Sequence, residues 1–313
     1  MITALAGGVG AARLLRGLVA VVPPASVTAV VNTGDDTVLH GLAISPDLDT
    51  VAYTLSGQAD AERGWGLAGE TWTVMDRLAE LGGDAWFRLG DRDLATHLMR
   101  TGRLAAGAPL SAVTAELAAA FGLELRLLPM SDDPVRTRLT LVAGDDIDFQ
   151  EYFVRRQHAV AVRAVRYAGA DRARPGPGVL DALTAAATVV VCPSNPILSI
   201  GPILAVPGIA DTLAARRATV VAVSPIVAGR ALKGPADRLL AELGEDVSVV
   251  GVARRYAAVA GTLVVDDADR DRAAAVEAAG MRCVVAPTIM SDPVRTAALA
   301  QVVLGVTSGA SGG

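Results

Sequence analysis

Residues 2–32 read ITALAGGVGAARLLRGLVAVVPPASVTAVVN. An apolar run of strand length breaks into a glycine turn, an amphipathic stretch (ARLLRGLVAVV) follows, and a second apolar run, VTAVVN, begins after two prolines. Short apolar runs bounded by turn residues suit buried strands, and the stretch between them has the period of a helix. Strand, loop, helix, strand is the βαβ unit of a parallel sheet. The same alternation continues. Strands are expected at LELRLLP (123–129), TVVVCPSN (188–195), TVVAVSP (219–225), SVVGVA (248–253), TLVVDD (262–267) and RCVVAP (282–287). Helices are expected at LATHLMRTGRL, LSAVTAELAAAF, PADRLLAELG, RDRAAAVEAAG and DPVRTAALAQVVLG. The fold class is therefore α/β, a Rossmann-like, mainly parallel sheet flanked by helices.

One region departs from the pattern. TRLTLVAGDDIDFQEYFVRR (137–156) reads as two alternating strands around a Gly144-Asp145-Asp146 turn, with AVAVRAVRYAG after it. This suggests a smaller α+β subdomain at about 60–178 inserted into a core of about 1–59 and 179–306. Residues 1–306 would form a single domain, and the tail, TSGASGG (307–313), is expected to be disordered.

Composition fits this picture. Of 313 residues, 52% are hydrophobic and 4% aromatic, favouring helices packed closely on a sheet over an all-β protein. Net charge is −5 with no Lys/Arg block, so the footprint of a nucleic-acid binder is missing. Mean hydropathy is +0.43. Yet the longest uncharged stretch, between Asp181 and Asp211, is broken by Pro193, Pro196, Pro202 and Pro207, so no membrane span is expected. The N-terminus lacks the basic residues of a signal peptide. Cys192 and Cys283 sit in apolar runs and read as buried core thiols in a reducing cytoplasm.

The loops after the strands hold the polar residues. Gly7, Gly8 and Gly10 follow the first strand and open the first helix, where glycine lets backbone amides approach a phosphate. The dinucleotide fingerprint fails, because Arg13 stands where a third small residue belongs and the second strand ends in Asn32 rather than an acid. No Gly-Lys-Ser/Thr follows, so this is not a Walker loop. A phosphate loop of another type is the better reading, against a plain tight turn. Residues 31–53, VNTGDDTVLHGLAISPDLDTVAY, carry Asp35, Asp36, Asp47 and Asp49 just beyond the second strand. In an open parallel sheet, ligands bind at that edge. An acidic loop there suits a hard cation bridging to phosphate oxygens, unless it is a solvated turn with two Asp helix caps.

Further polar loops carry Arg88, Asp91 and Arg92 (RLGDRD, with Asp93 expected to cap the next helix) and Ser194-Asn195 between prolines. Residues 130–137, MSDDPVRT, are echoed by 290–296, MSDPVRT. Both read as helix starts, and the first, with Ser131, Asp132 and Asp133, is the stronger candidate for binding phosphate. His40, His97 and His158 lack ligand-like spacing, which argues against zinc. There is no G-x-S-x-G elbow. What remains is phosphate chemistry with aspartates, a divalent cation, backbone amides and arginines.

AGGVGAARLLRGL, VNTGDDTVLHGLAISPDLDTVAYTLSG, RLGDRDLATHL, LPMSDDPVRT, CPSNPILSIGPIL, VSPIVAGRALKGPADRLL and TIMSDP together resemble the 2-phospho-L-lactate transferase family (CofD, called FbiA in actinobacteria), from Met1 to about Val306. The resemblance implies a step of coenzyme F420 biosynthesis. A phospholactyl or phosphoenolpyruvyl group would pass from a guanosine-diphosphate-linked donor to the 5′-hydroxyl of the deazaflavin Fo, with GMP leaving. It also implies Mg2+ and a homodimer. By the same resemblance, Asp49 and Arg88 match deazaflavin contacts, while Gly7–Gly10, Asn32, Thr33 and Ser131–Pro134 match nucleotide and phosphate surroundings. Magnesium would sit on Asp36 and Asp49, and Asp35 or Asp49 would accept the hydroxyl proton, with these roles interchangeable. The alternative class is a nucleotide-sugar or dinucleotide-binding regulator of the YvcK-like kind, which shares the fold and glycine loop. SPDLDT and GDRD count against it.

Overall fold

The computed structural model describes residues 1–308. Its centre is a seven-stranded parallel sheet in the order β14-β13-β10-β9-β1-β2-β5. The strands are β1 (Ile2–Ala6), β2 (Val27–Val31), β5 (Arg126–Pro129), β9 (Thr188–Val191), β10 (Val220–Val223), β13 (Thr262–Val265) and β14 (Arg282–Val285). Every residue of β1, β2, β9, β10 and β13 is buried, as expected of central parallel strands covered on both faces. Side chains alternate between two cores. Ala4, Ala6, Ala29, Val31 and Val190 join one, while Leu5, Val30, Val189 and Val191 join the other.

The first core is covered by helices α1 (Gly8–Val21), α2 (Pro46–Leu55), α5 (Leu110–Ala120) and α12 (Pro293–Ser308). The second is covered by α6 (Val179–Ala185), α7 (Ile200–Ala205), α8 (Ile209–Ala215), α9 (Ala236–Glu242), α10 (Val249–Tyr256) and α11 (Ala273–Ala278). An antiparallel sheet of β7 (Asp146–Asp148), β6 (Arg136–Leu141) and β8 (Val162–Ala168) shares that second core through Leu139, Leu141, Ile147 and Val162. A third, small apolar cluster (Ile44, Met75, Leu89) joins the hairpin β3 (Thr37–Leu39) and β4 (Leu42–Ile44) to α3 (Thr73–Glu80) and α4 (Asp91–Ala105). A two-residue pair, β11 (Ile226–Val227) and β12 (Arg230–Ala231), completes the strands. Among the described residues no helix is long and apolar enough to cross a membrane.

Several local expectations are revised. Residues 248–253 form the start of α10, not a strand. Ser248 Oγ accepts the N–H groups of Val250 (3.1 Å) and Gly251 (3.2 Å), and Val249, Val252, Ala253 and Tyr256 bury one helical face. The repeated motif has two structures. At the second copy Pro293 opens α12, with Asp292 accepting the Arg295 N–H at 2.9 Å. At the first, Met130 N–H bonds the Val31 carbonyl (2.8 Å) and Thr137 N–H bonds that of Gly34 (2.7 Å), so a strand, β6, begins where a helix was expected. Within the stretch 60–178, β5 pairs with β2 and is an edge of the main sheet. Thr307 and Ser308 end α12, and the rest of the expected disordered tail, 309–313, lies outside the described residues. Cys192 is buried, which pushes its thiol up, but Cys283 is partly exposed.

Candidate active site at the sheet switch point

From β1 the chain builds outward one way (β1, β2, β5), then returns to build the other way (β9, β10, β13, β14). The reversal falls between β1 and β9, where an open sheet leaves a crevice at its carboxyl edge. The loops after β1 and β9 meet there. Ser194 Oγ donates to the Gly7 carbonyl (2.7 Å), and Asn195 Oδ1 accepts the N–H groups of Ile197 and Leu198 (2.9 and 3.0 Å). A Cβ on Gly10 would lie 2.4 Å from the Pro193 carbonyl oxygen, and one on Gly7 2.7 Å from Asp47 Oδ2. Only glycine permits this approach. The glycine loop, Ser194 and Asn195 thus meet at this edge.

Asn32, at the end of β2, ties in the acidic segment. Its Nδ2 donates to Asp47 Oδ2 (2.9 Å), and its Oδ1 accepts the Gly34 N–H (2.8 Å). Asp47 Oδ1 accepts the Gly8 N–H (2.8 Å), so a carboxylate already rests on the amino end of α1. Pro46 opens α2, whose first turn carries both Asp47 and Asp49.

The aspartates then divide. Asp35 Oδ1 and Asp36 Oδ1 are buried and have no hydrogen-bond partner, as is Thr33 Oγ1. Burial, with the charges of Asp47 and Asp36 added, holds the Asp35 carboxyl well above its usual range. Burial also pushes Asp36 up to about 7 and Asp47 to about 6. Ser45 Oγ donates to Asp36 Oδ2 (2.8 Å), and Gln150 Nε2 donates to the Asp35 carbonyl (3.0 Å).

Asp49 is fully engaged. Both of its oxygens meet the buried Arg100 guanidinium, Oδ2 at 3.1 Å from Nη1 and Oδ1 on Nη2. Arg100 Nη1 also lies 3.2 Å from His97 Nδ1. A guanidinium only donates, so Nδ1 is the acceptor there, and Nε2 lies 3.3 Å from Asp93 Oδ2. Tyr53 Oη donates to Asp93 Oδ1 at 2.5 Å. Burial works to raise Asp93, but the bonds from His97 and Tyr53 hold it below the usual carboxylate range. Asp93 therefore does not cap α4. Glu70 does, accepting the N–H groups of Arg92 and Asp93 (2.8 and 2.9 Å).

Two carboxylate groupings offer themselves to a cation. Asp49, Asp93 and His97 place one ligand atom each within 4.8 Å of one another. Arg100 already supplies the positive charge there, and the oxygens of Asp49 are committed to it. Asp35 and Asp36, by contrast, keep unpaired buried oxygens of the hard kind that suit Mg2+. The donor set fits the ion at Asp35 and Asp36 better than at Asp49.

The remaining candidates make the following contacts within the protein. Asp91 accepts from Thr71 Oγ1, Thr73 N–H and Val74 N–H (2.5, 3.0 and 3.1 Å), fixing the start of α3. Arg92 donates to the Ala68 carbonyl. Arg88 pairs with Asp76 (2.9 Å) and lies 5.0 Å over the Trp72 ring. Arg63 sits between Trp65 and Trp72, and Trp72 and Asp76 line an open groove beside α3. Asp132 accepts from Ser111 N–H and Oγ at the start of α5 (2.6 and 2.8 Å). Ser131 Oγ donates to the Arg174 carbonyl (2.7 Å), and Asp133 Oδ2 accepts the Arg174 N–H (2.8 Å). Asp47 was expected only as one of the four carboxylates of the acidic loop, and His97, Arg100 and Gln150 were not among the expected site residues. Asp93, His97 and Arg100 recur at i, i+4 and i+7 of α4, a polar stripe on one helical face that was open to detection.

A family model described as "2-phospho-L-lactate transferase CofD" matches residues 2–289. The chain belongs to this family. It is thereby a member of the transferases of coenzyme F420 biosynthesis that its motifs resembled. It is 49% identical to a phosphoenolpyruvate transferase of Kitasatospora aureofaciens over 97% of this chain and 96% of that one. It is 48% identical to one of Streptomyces griseus over 96% of each chain. Identity is 42% with that of Mycolicibacterium smegmatis, over 95% of this chain and 96% of that one. Among solved structures, a UPF0052-family protein from Bacillus halodurans superposes with a TM-score of 0.62 at 16% identity, covering 97% of this chain and 98% of that chain. That likeness bears on the fold alone.

Proposed function

We propose that this CofD-family protein transfers a phosphoenolpyruvyl group from a guanosine-diphosphate-linked donor to the 5′-hydroxyl of the deazaflavin Fo, releasing GMP. The choice of enolpyruvyl over phospholactyl is supported by whole-length relatives at 42–49% identity that bear the name phosphoenolpyruvate transferase. The observation that carries the chemistry is the pair of unpaired buried oxygens on Asp35 and Asp36 at the switch point.

On this reading Asp35 and Asp36 hold Mg2+, which when bound neutralises the diphosphate and eases departure of GMP. The first-turn amides of α1 beyond Gly8 lack intrahelical acceptors and face the diphosphate. Asn32 and Ser194 fix the two loops so that this seat is formed before substrate arrives. Asp35 or Asp36, through an oxygen not on the metal, accepts the proton of the acceptor hydroxyl, since both oxygens of Asp49 face Arg100. Asp49 and Arg88 are retained as contacts to Fo, Arg88 from its place over the Trp72 ring. The working form would be a homodimer in the cytoplasm.

The test is incubation with Fo, the enolpyruvyl donor and Mg2+, followed by mass spectrometry. The expected product is lighter by two hydrogens than the phospholactyl one, and EDTA abolishes its formation. A protein that neither binds Fo at saturating concentration nor converts it is a regulator of the YvcK-like kind, and the transferase reading fails.

A further inference from the structure

A cavity of about 270 Å3 opens between the acidic loop and the β6–β7 hairpin, lined by Asp35, Asp36, Arg136, Thr137, Phe149 and Gln150 among others. Two features make it a built site. Thr137, 1% exposed, and Asp35, 4% exposed, each keep a buried oxygen with no partner. Arg136 is the only cation lining it, and among the described residues its guanidinium makes one hydrogen bond, from Nη1 to the neighbouring Val135 carbonyl (2.9 Å). A guanidinium carries five N–H donors, so most of them are free of hydrogen bonds to protein, although the Asp36 carboxylate lies within its electrostatic reach. Phe149 stacks one face on Phe153 (5.3 Å, 17° between planes) and forms part of the wall.

The donor proposed above carries two anionic parts, a diphosphate and a carboxylate. Backbone amides at the end of a helix suit the diphosphate, and that seat lies at the glycine loop. A planar fork beside a hydroxyl donor and an aromatic face suits a planar carboxylate instead. We infer that Arg136, with Thr137, grips the carboxylate of the transferred group in this cavity, and that Phe149 covers its planar face. This rests on the proposed transferase reading. It makes Arg136 a specificity-determining residue for donors that bear a carboxylate.

The test compares the wild-type protein with Arg136→Gln and Arg136→Lys, after thermal melts show both variants folded. With Fo saturating, Arg136→Gln raises KM for the donor about 10- to 100-fold, the loss of a charge-assisted bidentate contact, and Arg136→Lys recovers part of it. Calorimetry with GDP, which lacks the carboxylate, gives an unchanged Kd. Equal weakening of GDP would assign Arg136 to phosphate and overturn the inference, as would an unchanged KM. Competition by phosphoenolpyruvate reads the contact without turnover. Should the wild type fail to convert Fo, the function falls, while Arg136→Gln still supports the site if it weakens phosphoenolpyruvate and overturns it if it does not.

Discussion

Asp36 and Asp49 lie thirteen positions apart in one acidic segment, Asp49 buried and Asp36 half-buried, and the protein treats them in opposite ways. Asp49 receives a guanidinium from α4, which in turn is held by His97, Asp93 and Tyr53. Asp36 receives one hydroxyl from Ser45 and is left with a bare oxygen. A buried carboxylate is tolerable when paired and costly when it is not. The paired aspartate therefore reads as a fixed wall of the site. The unpaired one reads as a place reserved for something that arrives.

That contrast can be broken most forcefully at Arg100. Arg100→Met strands the Asp49 charge in the interior and should destabilise the fold by about 3–5 kcal/mol in chemical denaturation. Adding Asp49→Asn should restore part of the loss. A cost below about 1 kcal/mol would mean the pair is not what compensates Asp49.

At the other aspartate the expected signs reverse. Asp36→Asn should lower turnover about 10²- to 10³-fold, the scale of losing one electrostatic contact in a transition state. The ligand-free protein should nevertheless become more stable. The folded Asp36 holds its proton up to about pH 7, whereas the unfolded side chain releases it near its ordinary value of 3.8. Between those values the native state binds more protons, so stability falls as pH rises through the window and stays low above it. The Asn variant lacks this slope. At pH 8 its melting temperature should rise by roughly 2–4 °C for each kcal/mol recovered. A melting temperature that drops at pH 8 would remove the idea that Asp36 is held in an uncompensated state.

The smallest effect is expected at Asp91, whose carboxylate is spent on the first turn of α3 at the surface. Asp91→Asn should leave turnover within about twofold, as surface changes away from a site usually do. A loss comparable to that of Asp36→Asn would bring GDRD back into the chemistry.

The α/β class could be read in the sequence because it depends on local pattern. The apolar run VTAVV, set between turn residues, forms a strand as its pattern suggests, and the glycines between β1 and α1 announce a close approach. The Asp49–Arg100 pair was not readable, because it joins residues fifty-one positions apart and nothing local to PDLDT names its partner. The same limit misled the reading of MSDDPVRT. Its letters match a helix start, but the hydrogen bonds of Met130 and Thr137 to the β2 edge and the acidic loop decide for a strand. The run SVVGVA failed for a different reason. Its β-branched residues suggest a strand, while a serine cap and burial at helical spacing prevail.

The chain's three tryptophans, Trp65, Trp72 and Trp86, all fall between α2 and α4, around the small cluster and the groove beside α3. Ultraviolet emission from this protein is therefore a local probe. It reports the side lobe while remaining blind to the central sheet. Quenching seen on adding a ligand would trace events at that lobe, and melting followed by emission could part company with melting followed by circular dichroism.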